Sequence, residues 1–193
     1  MKRKFQVLLV ICFVVLFVAN SCKHNSTPKP RGYFRIEFPE KTYQHSTLNY
    51  PYHFEYPSYA ELVPDQTELS EPYWLNININ AFNAKIHLSY KALSNNLAQL
   101  VDESHELAYK HTIKASSINE KIFINEKENV FGTIYEIKGN TASPLQFHLT
   151  DSINHFIRGS FYISAIPNYD SLRPIIDFAN QDIYHFIETL SWK

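Results

Sequence analysis

Apolar and polar residues alternate along short runs of this chain, and twice the period lengthens to that of a helix. Over 33–38, Phe34, Ile36 and Phe38 fall on one side and Arg35 and Glu37 on the other. That is the pattern of a half-buried strand, and Pro39 breaks it. A second short strand is expected over 52–56, stopped by Pro57, and the polar, acidic stretch 60–72 reads as a surface loop. Alternation resumes over 73–80 with Leu75, Ile77 and Ile79, and over 85–91 with Ile86, Leu88 and Tyr90. The joint at 80–84 makes these two a hairpin candidate. Over 95–111 Leu97, Leu100, Val101, Leu107 and Ala108 form one stripe, with Asp102, Glu103, Glu106 and Lys110 outside it. This is an amphipathic helix with one apolar face. Strands return at about 119–125, 130–138, 145–150 and 155–164, separated by turn signals at Glu128-Asn129, Gly139-Asn140 and Asp151-Ser152. A second helix is expected over 171–190, striped by residues from Leu172 and Ile176 to Ile187 and Leu190. Pro174 fits its first turn, which sets the N-terminus near Tyr169-Asp170-Ser171. Tight turns join most neighbouring strands. The fold class is therefore α+β, a largely antiparallel sheet covered by two amphipathic helices.

The first residues follow a different rule. Lys2, Arg3 and Lys4 precede an apolar stretch over 5–19, too short to span a bilayer, which needs about 18–20 residues. Ala19 and Ser21 are small residues that suit a signal-peptidase groove, and Cys22 stands at the cut. A cysteine there points to lipoprotein processing: a diacylglycerol on the thiol, cleavage before it, and an N-acyl chain on the new amine. An uncleaved anchor and a plain secretory signal are the alternatives. Three segments follow: a lipoprotein signal peptide over 1–21, a lipidated cysteine with a Pro-containing tether over 22–32, and one globular α+β domain over 33–193. Ten tether residues, partly extended, reach about 30 Å.

Composition changes little in this picture. Without residues 1–21 the chain keeps 172 of its 193 residues, enough for one domain with a core that needs no staples. Cys12 leaves with the signal and Cys22 is blocked by lipid, so no intramolecular disulfide is expected. The mature chain holds 15 basic and 19 acidic residues and offers no electrostatic case for nucleic acid.

Catalytic patterns are sparse. Asp102, His105 and Glu106 cluster on the first helix, but a helical zinc pair puts two histidines four apart, and His105 and His111 are six apart. A solvated helix face is the simpler reading. His148 and Asp151, three apart on a strand, point to opposite faces. His87 falls on the polar side of its strand. No G-x-S-x-G elbow and no glycine-rich phosphate loop occur. No metal, no cofactor beyond the acyl chains on Cys22, and no enzyme activity are expected. Two basic clusters remain: Lys29, Arg31 and Arg35 where the tether meets the domain, and Lys110, His111 and Lys114 after the first helix. Cations suit a helix C-terminus by roughly 0.3–1 kcal/mol, which is the structural explanation of the second. Contact with anionic headgroups or an acidic partner is the functional one. Tyr33, Asn140 and Arg158 join these as candidate partner contacts, Asn140 and Arg158 being placed near strand ends. Asn140 could equally shape a turn, and Arg158 serve a surface ion pair.

Segments spread over the mature chain carry a family resemblance. They are 28–36 (PKPRGYFRI), 74–76 (WLN), 82–90 (FNAKIHLSY), 108–116 (AYKHTIKAS), 137–144 (IKGNTASP), 147–152 (FHLTDS), Arg158-Gly159 and Trp192-Lys193. Together they resemble the gliding-motility lipoproteins of the GldD type, found in Bacteroidota, and the order of elements resembles a PsbP-like sandwich. The first resemblance implies a lipid-anchored accessory or assembly protein of the gliding-motility and type IX secretion apparatus, acting by protein–protein interaction. It implies partners among the other motility components, including a GldE-type integral membrane protein. It carries lipidation, with palmitate as the expected label, onto Cys22 and no catalytic residue onto any position. Lys23-His24-Asn25-Ser26 lacks the acidic run of surface-exported lipoproteins, so the periplasmic face of the outer membrane is expected, with the inner membrane as the alternative. A periplasmic hydrolase and a lipid- or glycan-binding lipoprotein are the rival functions.

Overall fold

A computed structural model of the chain describes Arg3 and residues 35–193. The chain divides into two units, Met1–Arg35 and Ile36–Lys193. Of the first, only Arg3 and Arg35 are described, and both are exposed. Cys22, Lys29, Arg31 and Tyr33 lie outside the described residues.

The second unit is built on a seven-stranded sheet. In chain order its strands are β1 (Tyr43–His45), β2 (Tyr52–His53), β3 (Glu55–Pro57), β4 (Glu61–Pro64), β5 (Leu75–Ile79) and β6 (Ala84–Ala92). Helix α1 (Leu97–Tyr109) and a 3₁₀ turn (Lys110–Ile113) follow, then β7 (Ala115–Asn125), β8 (Val130–Gly139), β9 (Leu145–Thr150), β10 (His155–Ile163), α2 (Tyr169–Thr189) and β11 (Ser191–Trp192). The large sheet runs β4-β5-β6-β10-β9-β8-β7, and every neighbouring pair is antiparallel. Strand β1 pairs with β3, and β11 with β2, in two small ribbons. The architecture is the expected α+β one, with a large antiparallel sheet and two helices.

The turns are made by the residues that tolerate left-handed backbone. Asn83 (φ 49°) closes the β5–β6 joint, Asn129 (φ 51°) the β7–β8 turn and Ser152 (φ 68°) the β9–β10 turn. At Asp151 the carboxylate accepts the backbone N–H groups of Ile153, Asn154 and His155 at 2.8–3.0 Å. Those bonds, led against the opposing effect of burial, hold its pKa below the usual carboxylate value.

Alternation along the strands sorts the two sheet faces. Leu75, Ile77, Ile86, Leu88, Phe147 and Phe161 point to one side, where α2 covers them with Ala179, Ile183, Phe186 and Ile187. On the other side Tyr135 and Ile137 meet Ala108 of α1. Thus one face is a deep apolar core and the other is mixed, because Gln146, His148, Arg158 and Ser160 share it.

Four expectations need correction. Residues 35–42 have no regular structure, so the strand over 33–38 does not form in its described part. The apolar alternation there serves ring packing: Phe38 stacks on Phe178 of α2 with centroids 4.5 Å apart and meets Phe82 at 5.5 Å. The stretch 60–72 is not wholly a loop. It holds β4, a short edge strand that places Leu62 opposite Ile77 and ends at Pro64, where a missing N–H is tolerated. The strand over 52–56 is split at Phe54 between two ribbons, and Pro57 lies within β3, opposite Tyr43. Finally, Pro174 is the sixth residue of α2 rather than part of its first turn, because Asn168 caps the helix earlier, accepting from the Ser171 N–H at 3.3 Å.

Candidate functional site

Helix α1 ends without a glycine. Its last turn tightens into the 3₁₀ turn Lys110–Ile113, held by the Lys114 N–H to the His111 carbonyl at 3.0 Å and by the Thr112 hydroxyl to the Tyr109 carbonyl at 2.7 Å. That turn leans against the β8–β9 loop. Gly139 opens the loop at φ 118°, where a Cβ would lie 2.7 Å from the Lys114 carbonyl oxygen and 2.7 Å from the Ser116 nitrogen. Glycine is therefore required both by conformation and by space. Asn140 then accepts the Tyr169 backbone N–H through Oδ1 at 2.8 Å, tying the loop to the start of α2. Thr141 and Ser143 donate to backbone carbonyls two residues on, and the loop is stapled by its own hydroxyls.

The result is a cleft of about 240 Å³ lined by Lys110, His111, Ile113, Lys114, Asn140 and Thr141, among others. The structure thus brings together four of the residues singled out from sequence, Lys110, His111, Lys114 and Asn140. Lys110 and Lys114 are exposed, His111 is half-buried, and burial together with the nearby charge of Arg158 pulls the His111 pKa below its ordinary value. Ile113 is 90% exposed at the rim, an apolar residue set among cations. The surroundings suit an acidic surface with an apolar contact point.

Arg158 departs from its expected setting. It is not near a strand end but in the middle of β10, a central strand, and it has no carboxylate partner among the described residues. Its Nη2 donates to Gln146 Oε1 at 3.0 Å. Beside it on the same face stand His148 and Ser89, its direct partners on β9 and β6, and His87 one step along β6. His148 is 4% exposed, stacks on Phe156, and leaves Nδ1 buried without a hydrogen bond. Burial holds its pKa down to about 4. His87 is half-buried, with Asn76 Oδ1 at 3.1 Å from Nδ1 and Asp65 at 3.5 Å. Burial lowers its pKa, with help from Lys85 and Arg158 and against the pull of Asp65. Of the first-helix cluster, His105 is exposed, lies over Tyr109, and reaches Glu120 at 3.7 Å.

A third cluster was missed from sequence. Asp182 of α2 has a side chain with 0% exposure. Its Oδ1 accepts from Lys41 Nζ at 2.5 Å and from the Tyr43 hydroxyl at 2.9 Å, and its Oδ2 accepts from the Tyr59 hydroxyl. Lys41 also donates to the Phe178 carbonyl at 2.9 Å and sits 3.7 Å above the Phe178 ring. Burial first, then the bond to Asp182, pushes both tyrosine pKa values up, so the phenols stay donors. Three donors engage the carboxylate, and the cluster works as a latch between the first residues of the unit and α2. The signal was present: Asp182 lies three after Ala179 and four before Phe186, inside the apolar stripe of the helix. A carboxylate there must be paired.

No described helix is long and apolar enough to cross a membrane. The family model described as gliding motility lipoprotein GldD matches residues 23–192. No curated relative matches the chain. Among solved structures the chain is similar to the solution structure of cyanobacterial PsbP (CyanoP) from Synechocystis sp. PCC 6803, at 8% identity and a TM-score of 0.49, covering 83% of this chain and 98% of that one.

Proposed function

The chain belongs to the family of gliding motility lipoproteins GldD, and from that premise we propose that it is an accessory and assembly protein of the gliding-motility and type IX secretion apparatus, acting through protein–protein contact. Membership of a lipoprotein family implies anchoring to a membrane through lipid. In this proposal the lipid, palmitate included, sits on Cys22 and holds the protein at the periplasmic face of the outer membrane. Its partners are other motility components, among them an integral membrane protein of the GldE type. The domain binds and positions; it carries out no reaction and needs no cofactor.

The observation that supports this reading is the cleft after α1. Lys110, His111, Lys114 and Asn140 are gathered from two segments about thirty residues apart in sequence, around an exposed Ile113. A charged rim about an apolar point is the anatomy of a protein interface. The test is a strain in which Lys110 and Lys114 are both changed to Glu while the protein level is held constant. Spreading on agar and secretion of type IX cargo are expected to fall together. A photo-crosslinker at Lys110 is expected to capture a membrane-bound motility protein. Normal spreading and secretion in the charge-reversed strain would refute the assignment of this cleft.

A further inference from the structure

The second face of the sheet carries three permanent cations on its β6–β10 half, and two of them have carboxylates. Lys91 is bonded to Glu71 and lies over the Trp74 ring. The charge of Lys85 acts on Asp65, whose pKa is lowered first by the Thr67 N–H and also by that lysine. Arg158 has neither. It is partly buried between β6 and β9, and the Gln146 bond is the one hydrogen bond its side chain makes among the described residues. Guanidinium carries five N–H donors in a rigid fork, so most of them remain open. None of its nitrogens is both buried and unpartnered, so the fork still reaches solvent.

A partly desolvated, unpaired charge is costly, and a protein that keeps one in the middle of a central strand has a use for it. The neighbourhood is arranged to leave that charge uncompensated. His87, His111 and His148 surround it from β6, the 3₁₀ turn and β9, and burial keeps all three toward the neutral form. Asp65 is spent on the Thr67 N–H, Lys85 and His87. Tyr162, four residues along β10 on the same face, is not a carboxylate. The local sum at neutral pH is one unpaired positive charge with a planar, two-pronged donor set. This matches a carboxylate in charge and geometry, and it falls short of a phosphate dianion.

We propose that Arg158 is the seat of a carboxylate-binding site on the second face of the sheet, with His87 and His111 at its margin and Gln146 orienting the guanidinium. The carboxylate is either the side chain of an acidic residue of a protein or a small free acid. The site stands whether or not the cleft after α1 is a docking surface for the motility apparatus.

The test is NMR on the mature chain, following the Arg158 Nε–Hε signal and the ring signals of His87 and His111. Sodium acetate is titrated against sodium chloride at fixed ionic strength, and a blocked tripeptide with one glutamate is run in parallel. Acetate is expected to give a saturable shift of the Arg158 signal at least tenfold tighter than any effect of chloride, and to raise the pKa of His87 and His111. Arg158→Lys, which keeps the charge and loses the fork, is expected to weaken acetate about tenfold, and Arg158→Met to abolish the shift. Lys110→Ala, outside the site, is expected to leave it intact. A tripeptide that binds tenfold more tightly than acetate identifies a protein side chain as the natural ligand; equal or weaker binding identifies a small acid. The proposal is overturned if acetate and chloride act alike, if inorganic phosphate binds more tightly than acetate, or if Arg158→Lys binds acetate as well as the parent.

Discussion

Replacing Asp182 by Asn tests the latch with almost no change of shape. The carboxylate is fully buried and receives an ammonium and two phenols. Asn keeps one acceptor oxygen and turns the other into a donor facing a donor. Lys41, with 22% of its side chain exposed, then has no anionic partner in the latch and keeps neutral ones, the Phe178 carbonyl and ring and at best the amide oxygen. Removing one member of a buried ion pair costs about 3–5 kcal/mol. With a urea m-value near 2 kcal/mol/M, the midpoint should fall by about 2 M. Lys41→Met should cost less, about 2 kcal/mol, because the two phenols go on donating to the carboxylate. The double variant Lys41→Met with Asp182→Leu should be more stable than Asp182→Asn alone, since it buries no uncompensated charge. Urea denaturation of the mature chain with Cys22→Ser measures all three. Hydrogen exchange adds a local readout: amides of 43–59 should lose protection in Asp182→Asn before those of β9 and β10 do. An Asp182→Asn midpoint within 0.5 M of the parent, or a double variant no more stable than Asp182→Asn, would refute the latch (the threshold is about 1 kcal/mol at that slope).

Two further outcomes are expected. His148 titrates near 4 in the fold against about 6.5 unfolded, so as pH falls the unfolded chain takes the proton first. The stability present above about pH 6.5 is lost progressively down to pH 4, about 3 kcal/mol in all, and urea midpoints at pH 7 and 4.5 should differ less in His148→Gln than in the parent. At Gly159 an added Cβ would lie 2.0 Å from Cζ of the buried Phe147 ring, so Gly159→Ala should cost at least about 2 kcal/mol, relieved in part by Phe147→Leu, as read by thermal unfolding of the single and double variants.

The parts of the fold legible in the sequence are those whose partners are near in the chain. The hairpins β5–β6, β7–β8 and β9–β10 follow from alternation and from Asn83, Asn129 and Ser152 at their turns. Both helices follow from their stripes. Alternation fails at Phe38, because its ring packs against Phe82 and Phe178 rather than into a sheet face, and the latter stands 140 residues on. It fails in the opposite sense at β4, whose polar flanks conceal one inward residue, Leu62. The same limit applies to the sites. Lys110, His111 and Lys114 are a visible run, but that Asn140 closes the cleft depends on how β8 and β9 return the chain. Arg158 could be placed on the polar side of its strand. That this side lies under α1, buried enough to matter yet without a carboxylate, is a fact of three dimensions.

The two sheet faces divide the work. Aromatic rings, the Asp182 latch and the bulk of the apolar core lie on the α2 side, where the chain enters the unit through Ile36, Phe38 and Lys41. The unpaired cation, the neutral histidines and the cleft after α1 lie on the other side or at its edge. Strands β6, β9 and β10 separate them, and successive residues on each strand serve opposite tasks: Phe147 fills the core while Gln146 and His148 frame Arg158. The proposed function asks one face to hold the fold together while the other is free to bind. An antiparallel sheet meets that demand because its period-2 alternation lets one face be rigid and apolar while the next residue along is free to be polar. Weakening the latch should therefore loosen the entry segment and leave the Arg158 face as it was, and removing the Arg158 fork should empty that face without lowering the stability that Asp182 supplies.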